Sequence, residues 1–195
     1  AIHCFERECS LQRRRQKVLE ETPAPGLDAA TRSALADAAR ALLEPERYRS
    51  AGTVEFVLDV DTGEFYFIEM NTRLQVEHTV TEAVTGIDLV EWMVRAATGD
   101  TAFVRAAAEP PVAQGHAIEA RVYAEDPARE FVPSPGLVTD AWCPPGVRVD
   151  TWVRPGTEVP PFYDPLLAKL VVHGATRAEA VDALHDALRR TIVRG

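Results

Sequence analysis

Apolar residues recur at helical spacing over residues 28–43, at Leu35, Ala39 and Leu42, and Pro45 closes the run, which predicts a scaffold helix after the turn Pro23-Ala24-Pro25-Gly26. The stretches 53–58 and 64–70 are rich in Val, Phe, Tyr and Ile and flank Asp61-Thr62-Gly63, so they read as a β-hairpin with a short loop. A second helix is expected from the N-cap Asp88 through Leu89, Trp92, Met93 and Ala96 to Gly99. Residues 100–115 carry no period but hold Pro110-Pro111, the mark of a linker or domain edge. Short strands follow: Ile118, Ala120 and Val122 alternate with Glu119, Arg121 and Tyr123, then Glu125-Asp126-Pro127 turns the chain. Residues 147–153 and 166–172 are further strands, the second almost wholly apolar and therefore central. The last helix opens with the capping box Thr176-Arg177-Ala178-Glu179 and is expected to bury Val181, Leu184 and Leu188. The fold class read from this pattern is α+β, in two units, 1–104 and 105–195.

Composition narrows the function classes. With 46% hydrophobic and 26% charged residues in 195, the chain can bury a core and is no disordered tail. The formal net charge of -9 argues against a nucleic-acid partner, whose phosphates need clustered Lys and Arg, and no stretch approaches the roughly 18 apolar residues of a membrane span. Cys4, Cys9 and Cys143 form no CxxC pair, so neither a disulfide framework nor a zinc site is expected, and a reducing cytoplasm is. The start, without Met or the order of a signal peptide, reads as a chain entered midway. The basic run Arg13-Arg14-Arg15 with Lys17 suits either a solvated edge or an anionic partner.

The hairpin carries the chemistry. If Val60 and Glu64 close a three-residue loop, Glu55 lies opposite Glu69, while Val54, Phe56 and Leu58 meet Met70, Ile68 and Tyr66 on a buried apolar face. Opposed carboxylates destabilise a sheet unless a cation or solvent intervenes; their hard oxygens suit Mg²⁺ or Mn²⁺ bridging to substrate phosphates, with a plain solvated face as the alternative. A bulge at Gly63 would spoil the pairing. The period of two continues through Asn71, Arg73, Gln75 and Glu77, which in an extended chain line one groove. Arg73 is a fork for a planar oxyanion and Glu77 is placed to take a proton, which together suggest ATP-dependent activation of a carboxylic or carbonic acid.

The run Glu69-Met70-Asn71-Thr72-Arg73-Leu74-Gln75-Val76-Glu77-His78, preceded by Gly52-Thr53-Val54-Glu55-Phe56, closely resembles the biotin carboxylase component of biotin-dependent carboxylases, an ATP-grasp fold. The likeness extends to residues 6–17, to 115–127 and to Tyr163-Asp164-Pro165, and residues 146–159 look like the urea carboxylase branch. The resemblance implies the C-terminal half of an ATP-grasp domain followed by a biotin carboxylase C-terminal α+β domain. It implies that Glu55, Glu69 and Asn71 hold the metals on ATP, with Gln12 also near the nucleotide. It implies that Arg73, Gln75, the backbone at Val76, Lys17 and Gln16 cradle bicarbonate, that Glu77 is the base, and that Arg121 stabilises the enolate of biotin. ATP, Mg²⁺ or Mn²⁺, bicarbonate and biotin are the implied cofactors; a biotin carboxyl carrier domain, a carboxyltransferase domain or subunit and a homo-oligomer are the implied partners. Arg15 and Thr79 depart from the family pattern, and no glycine-rich phosphate lid is present, so the chain is expected to be an internal piece of a larger carboxylase, inactive alone. Another ATP-grasp ligase of carbamoyl-phosphate-synthetase type, or a non-catalytic docking or dimerisation module, are the alternatives. Without the resemblance, Arg121 reads as a salt bridge to Glu119 or Glu125.

Overall fold

The computed structural model describes residues 1–46, 48–103 and 111–195. They form two compact units, one of Ala1–Glu8 with Thr22–Gln114 and one of Cys9–Glu21 with Gly115–Gly195. Part of the predicted linker, including Pro110, lies outside the described residues. In chain order the main elements are strand β1 (Leu19–Thr22), helix α1 (Ala29–Leu43), strands β2 (Thr53–Leu58) and β3 (Phe65–Asn71), helices α2 (His78–Thr85) and α3 (Leu89–Ala97), strands β4 (His116–Tyr123), β5 (Arg148–Thr151) and β6 (Leu166–Gly174), and helix α4 (Arg177–Arg190). No described helix is long and apolar enough to cross a membrane.

In the first unit, α3 begins after its predicted cap Asp88, and α1 fills the expected span behind Asp28, which caps it too. The Asp28 carboxylate accepts from Thr31 N at 2.7 Å and that of Asp88 from Glu91 N at 2.7 Å, each satisfying an orphan donor of the first turn. The antiparallel hairpin β2–β3 pairs Thr53 with Asn71, Val54 with Met70 and Glu55 with Glu69. Its loop is longer than expected: Asp59 and Glu64 close it, and Gly63 adopts φ +74°, a conformation costly for any residue with a Cβ. Past Glu55 the register shifts by one residue, so that Phe56 faces Phe67 and Leu58 faces Phe65. Ile68 is the extra residue of this bulge. Of the expected apolar pairs only Val54–Met70 forms: Phe56 and Leu58 stay half-buried, Phe56 meeting Phe65 and Phe67 edge to face at 5.4 and 6.3 Å, but Ile68 and Tyr66 are exposed.

The second unit is built on a four-stranded sheet in the order β5-β6-β4-β1. The apolar strand β6 lies inside it, as its composition predicts, and Leu170 is fully buried. One face carries Ile118, Ala120, Leu170 and Val172 and packs on Ala180, Leu184 and Ala187 of α4. This corrects the expected stripe, because Val181 and Leu188 are exposed. Positions 180, 184 and 187 share one helical face, and the small alanines there let the helix approach the sheet closely. The cap works as predicted at Thr176, whose hydroxyl accepts from Glu179 N at 3.3 Å, but the Glu179 carboxylate turns to Ala175 N at 2.9 Å. We expect Leu170→Ala to cost about 2–5 kcal/mol in urea unfolding. Val181→Ala should cost less than about 0.5 kcal/mol, because its side chain is already in water.

Candidate functional site

In the first unit the two carboxylates of the hairpin are tied together through amides. Asn71 Nδ2 donates to Glu55 Oε1 at 3.1 Å and to Glu69 Oε1 at 2.9 Å, so one nitrogen holds an oxygen of each. Gln75 Nε2 donates to Glu55 Oε1 at 2.6 Å. The Arg73 guanidinium is exposed and bonds Asn71 Oδ1 at 3.3 Å and the Leu74 carbonyl at 3.2 Å. Glu55, Glu69, Asn71, Arg73 and Gln75 thus form one hydrogen-bonded file.

The extended groove expected through residue 77 is not found. Strand β3 ends at Asn71; His78 N bonds the Gln75 carbonyl at 3.2 Å and α2 begins. This turn breaks the alternation: Arg73 faces water, whereas Gln75 and Glu77 are only 5% and 2% exposed. Val76 is half-buried between them. Glu77 occupies the N-cap position of α2, beside the buried Thr79, Val80 and Thr81.

A residue to which the spacing assigned no role anchors this turn. Arg7 Nη2 donates to Gln75 Oε1 at 2.8 Å and Thr53 Oγ1 at 3.0 Å, and its Nη1 donates to Thr81 Oγ1 at 2.9 Å. One guanidinium therefore joins β2, the turn and α2. The flanking Glu6 and Glu8 make Arg7 look like a surface charge, and its partners are 46 to 74 positions away, so only the fold discloses it.

The second unit holds the remaining candidates. Gln12–Arg13 and Gln16–Lys17 form a minimal hairpin with Arg14 and Arg15 at its tip, both at positive φ. Gln12 Nε2 donates to the Cys9 carbonyl at 3.1 Å, Gln16 is exposed, and the Lys17 carbonyl accepts from Tyr123 Oη at 3.3 Å. The basic run divides: Arg13 pairs with Glu125 and lies 4.1 Å over the Phe131 ring, whereas Arg14 stands 3.7 Å from the exposed Glu130, a pairing of little worth. Arg121 is ion-paired with the buried Glu20, and its Nε lies 4.0 Å from Glu119. Burial works against its charge, but Glu20 and Tyr123 outweigh it and raise its pKa, fixing it as a cation. Burial raises the Tyr123 phenol as well, with Arg121 opposing.

The donor chemistry of the first unit fits a hard divalent cation. Glu55 and Glu69, opposed across the hairpin, carry oxygens of the type such an ion takes; the Asn71 side-chain carbonyl is of the same type but accepts from Arg73 here, so it would have to turn to join them. No group of three or more His, Cys, Asp or Glu suited to a metal occurs among the described residues.

Comparison with known proteins places these residues in a wider setting. Residues 1–103 match the family model described as carbamoyl-phosphate synthase L chain, ATP binding domain, and residues 119–195 match the biotin carboxylase C-terminal domain. Urea amidolyase of Lachancea kluyveri is 53% identical over 195 residues, all of this chain and 10% of that protein. Biotin carboxylase 2 of Bacillus subtilis is 48% identical over 196 residues, all of this chain and 43% of that protein. A solved structure of the biotin carboxylase domain of Hydrogenobacter thermophilus 2-oxoglutarate carboxylase, a dimer in complex with MgADP and bicarbonate, is similar along the whole chain and 43% of its own, with a TM-score of 0.90 and 39% identity. The chain spans a tenth of the first of these and less than half of the others.

Two outcomes follow from the contacts. Arg7→Ala removes three charge-assisted hydrogen bonds from a part-buried cluster and should cost about 2 kcal/mol or more in urea unfolding, with Arg7→Lys recovering less than half. Burial pushes the Asp150 carboxyl up, but the Arg148 hydrogen bond and the Lys169 ammonium outweigh it and the net shift is downward. The fold therefore favours the charged form, so Asp150 stabilises fully above the usual carboxyl pKa of about 3.9 and loses that contribution as pH falls through its lower folded value. The melting difference between the parent chain and Asp150→Asn should shrink from pH 6 to pH 2; a constant difference contradicts the assignment.

Proposed function

Since the chain belongs to the biotin carboxylase-type ATP-grasp family, we propose that it supplies one part of a site that carboxylates biotin at the expense of ATP and bicarbonate. One observation carries this reading: the Asn71 amide joins the hard-oxygen pair Glu55 and Glu69 to the anion fork Arg73. In this reading one side chain would couple a metal–phosphate site to an oxyanion site.

Glu55, Glu69 and Asn71 would hold Mg²⁺ or Mn²⁺, which supplies charge neutralisation for the transferring phosphoryl group. In the first unit Arg73, with Gln75 and the backbone at Val76, binds and orients bicarbonate; in the second unit the proposed roles are bicarbonate for Gln16 and the nucleotide for Gln12. Glu77 takes the bicarbonate proton, and the freed oxygen attacks the γ-phosphorus of ATP, giving carboxyphosphate and ADP. Lys17 neutralises charge on the phosphate. Carboxyphosphate breaks into CO2 and phosphate, and the phosphate takes the ureido N–H proton so that the nitrogen can attack CO2. Arg121 holds the negative charge that develops on the ureido oxygen, as a fixed cation does in an oxyanion site.

The match of residues 1–103 to a carbamoyl-phosphate synthase domain favours a second reading, a ligase acting on an amine. The match of residues 119–195 to the biotin carboxylase C-terminal domain and the presence of Arg121 weigh against it. The likeness to urea amidolyase favours urea as the final carboxyl acceptor. In this reading the chain works beside a biotin carrier domain and a carboxyltransferase, as part of a homo-oligomer in the cytoplasm, with residues 1–104 and 105–195 as its functional halves.

Two variants of the carboxylase that carries this chain test the assignments. Glu77→Gln should lower bicarbonate-dependent ATP cleavage by about 10² to 10⁴ while nucleotide binding persists; unchanged turnover across pH contradicts its role as base. Arg121→Ala should keep ATP cleavage measurable while carboxybiotin formation falls by about 10² or more. A parallel fall in both rates places Arg121 earlier in the reaction.

A further inference from the structure

The four-stranded sheet of the second unit has one apolar face and one face that buries charge. Register aligns Asp150 of β5, Lys169 of β6 and Arg121 of β4 in a single row, and Glu20 of β1 completes it. Lys169 Nζ lies 3.2 Å from Asp150 Oδ2 and 3.8 Å from Glu119 Oε2, and Arg121 Nε lies 4.0 Å from the other oxygen of Glu119. Arg121 Nη2 is paired with Glu20, and the Arg121 amide bonds the Val18 carbonyl at 3.0 Å, which fixes β1 against β4 next to Glu20. Glu20 and Glu119 are 1% and 0% exposed and Lys169 is 8% exposed.

Such a file is a poor device for stability alone. Desolvating carboxylates and ammonium groups costs about as much as their attraction returns, and well-packed apolar residues serve as well or better. What apolar residues cannot do is hold a guanidinium in one direction. The Glu119 carboxylate lies between two cations, with one oxygen toward Lys169 and the other toward Arg121. Lys169 thus draws Glu119 and Asp150 to itself, and Arg121 stays turned toward Glu20.

We propose that Glu20 and Lys169 are positioning residues for Arg121: Glu20 anchors Nη2, and Lys169 keeps Glu119 from pulling the guanidinium back along β4. This rests on the reading of Arg121 as the group that meets the ureido oxygen. A displaced guanidinium would weaken carboxyl transfer to biotin more than the earlier cleavage of ATP, because a misplaced catalytic group costs rate steeply.

The test uses the carboxylase that carries this chain, with free biotin and labelled bicarbonate, and reads the ratio of carboxybiotin formed to ATP cleaved in Glu20→Gln, Glu20→Asp, Lys169→Met, Lys169→Arg and Arg121→Ala. Glu20→Gln and Lys169→Met should each lower the ratio at least tenfold and raise the KM for biotin. The charge-preserving Glu20→Asp and Lys169→Arg should recover at least half of it. Where Glu20→Gln fails to fold, Glu20→Asp against Lys169→Met decides. Parallel losses of both rates with a lowered melting midpoint would make the file merely structural and overturn the proposal. A lowered ratio in Arg121→Ala beside a parental ratio in Glu20→Gln overturns the positioning role and leaves the reading of Arg121 standing; a parental ratio in Arg121→Ala removes that reading, and the proposal with it.

Discussion

Two carboxylates face each other across the hairpin of the first unit, and the surrounding structure answers to their repulsion. Two like charges about 4 Å apart repel by about 4 kcal/mol at an effective dielectric of 20 and by about 1 kcal/mol in water. Asn71 and Gln75 offer them three hydrogen bonds, and bonds to charged groups contribute about 1.5 to 3 kcal/mol each. The amides are therefore sufficient to hold Glu55 and Glu69 together before any cation arrives. Gln75 can serve only because Arg7 fixes its carbonyl end, and Arg7 in turn fixes α2 through Thr81. The turn that buries Glu77 inherits its place from this chain of contacts.

The second unit uses the alternation of a strand for two purposes. Residues at 118, 120 and 122 of β4 and 170 and 172 of β6 join the core against α4, and those at 119, 121 and 169 carry the charged file. Because the side-chain period is two, a one-residue slip would send the ions into the core, so the apolar packing pins the register that aligns Arg121 with Lys169. Packing energy and site geometry are set by the same constraint.

Much of this was legible in the residues. The hairpin, its opposed Glu55 and Glu69, the caps Asp88 and Thr176 and the central strand β6 all follow from local pattern. The pairing of the two carboxylates was nevertheless reached through a loop one residue too short; the longer loop at residues 60–63 shifts the register, and the bulge at Ile68 shifts it back. A bulge leaves no fixed mark in sequence, so the faces of Tyr66 and Ile68 were misread. Helix α2 was hidden because Thr79, Val80, Thr81 and Val84 are β-branched and follow a run with a period of two; burial of all four outweighs their propensity. Of the two partners expected for Arg121 from its own segment, Glu119 lies 4.0 Å away and Glu125 pairs with Arg13 instead; Glu20, and the Gln75 and Thr81 partners of Arg7, join segments far apart in sequence, which no local spacing encodes.

The fate of the carbon atom of bicarbonate separates biotin carboxylation from amine ligation. The carboxylase that carries this chain should be given labelled bicarbonate, MgATP, free biotin and ammonia together, and the labelled product identified before any carboxyl acceptor is added. The roles proposed for Glu55, Glu69, Arg73, Glu77 and Arg121 predict acid-labile label on biotin that requires both ATP and the divalent cation. Label recovered in a carbamoyl compound, with none on biotin, would contradict it.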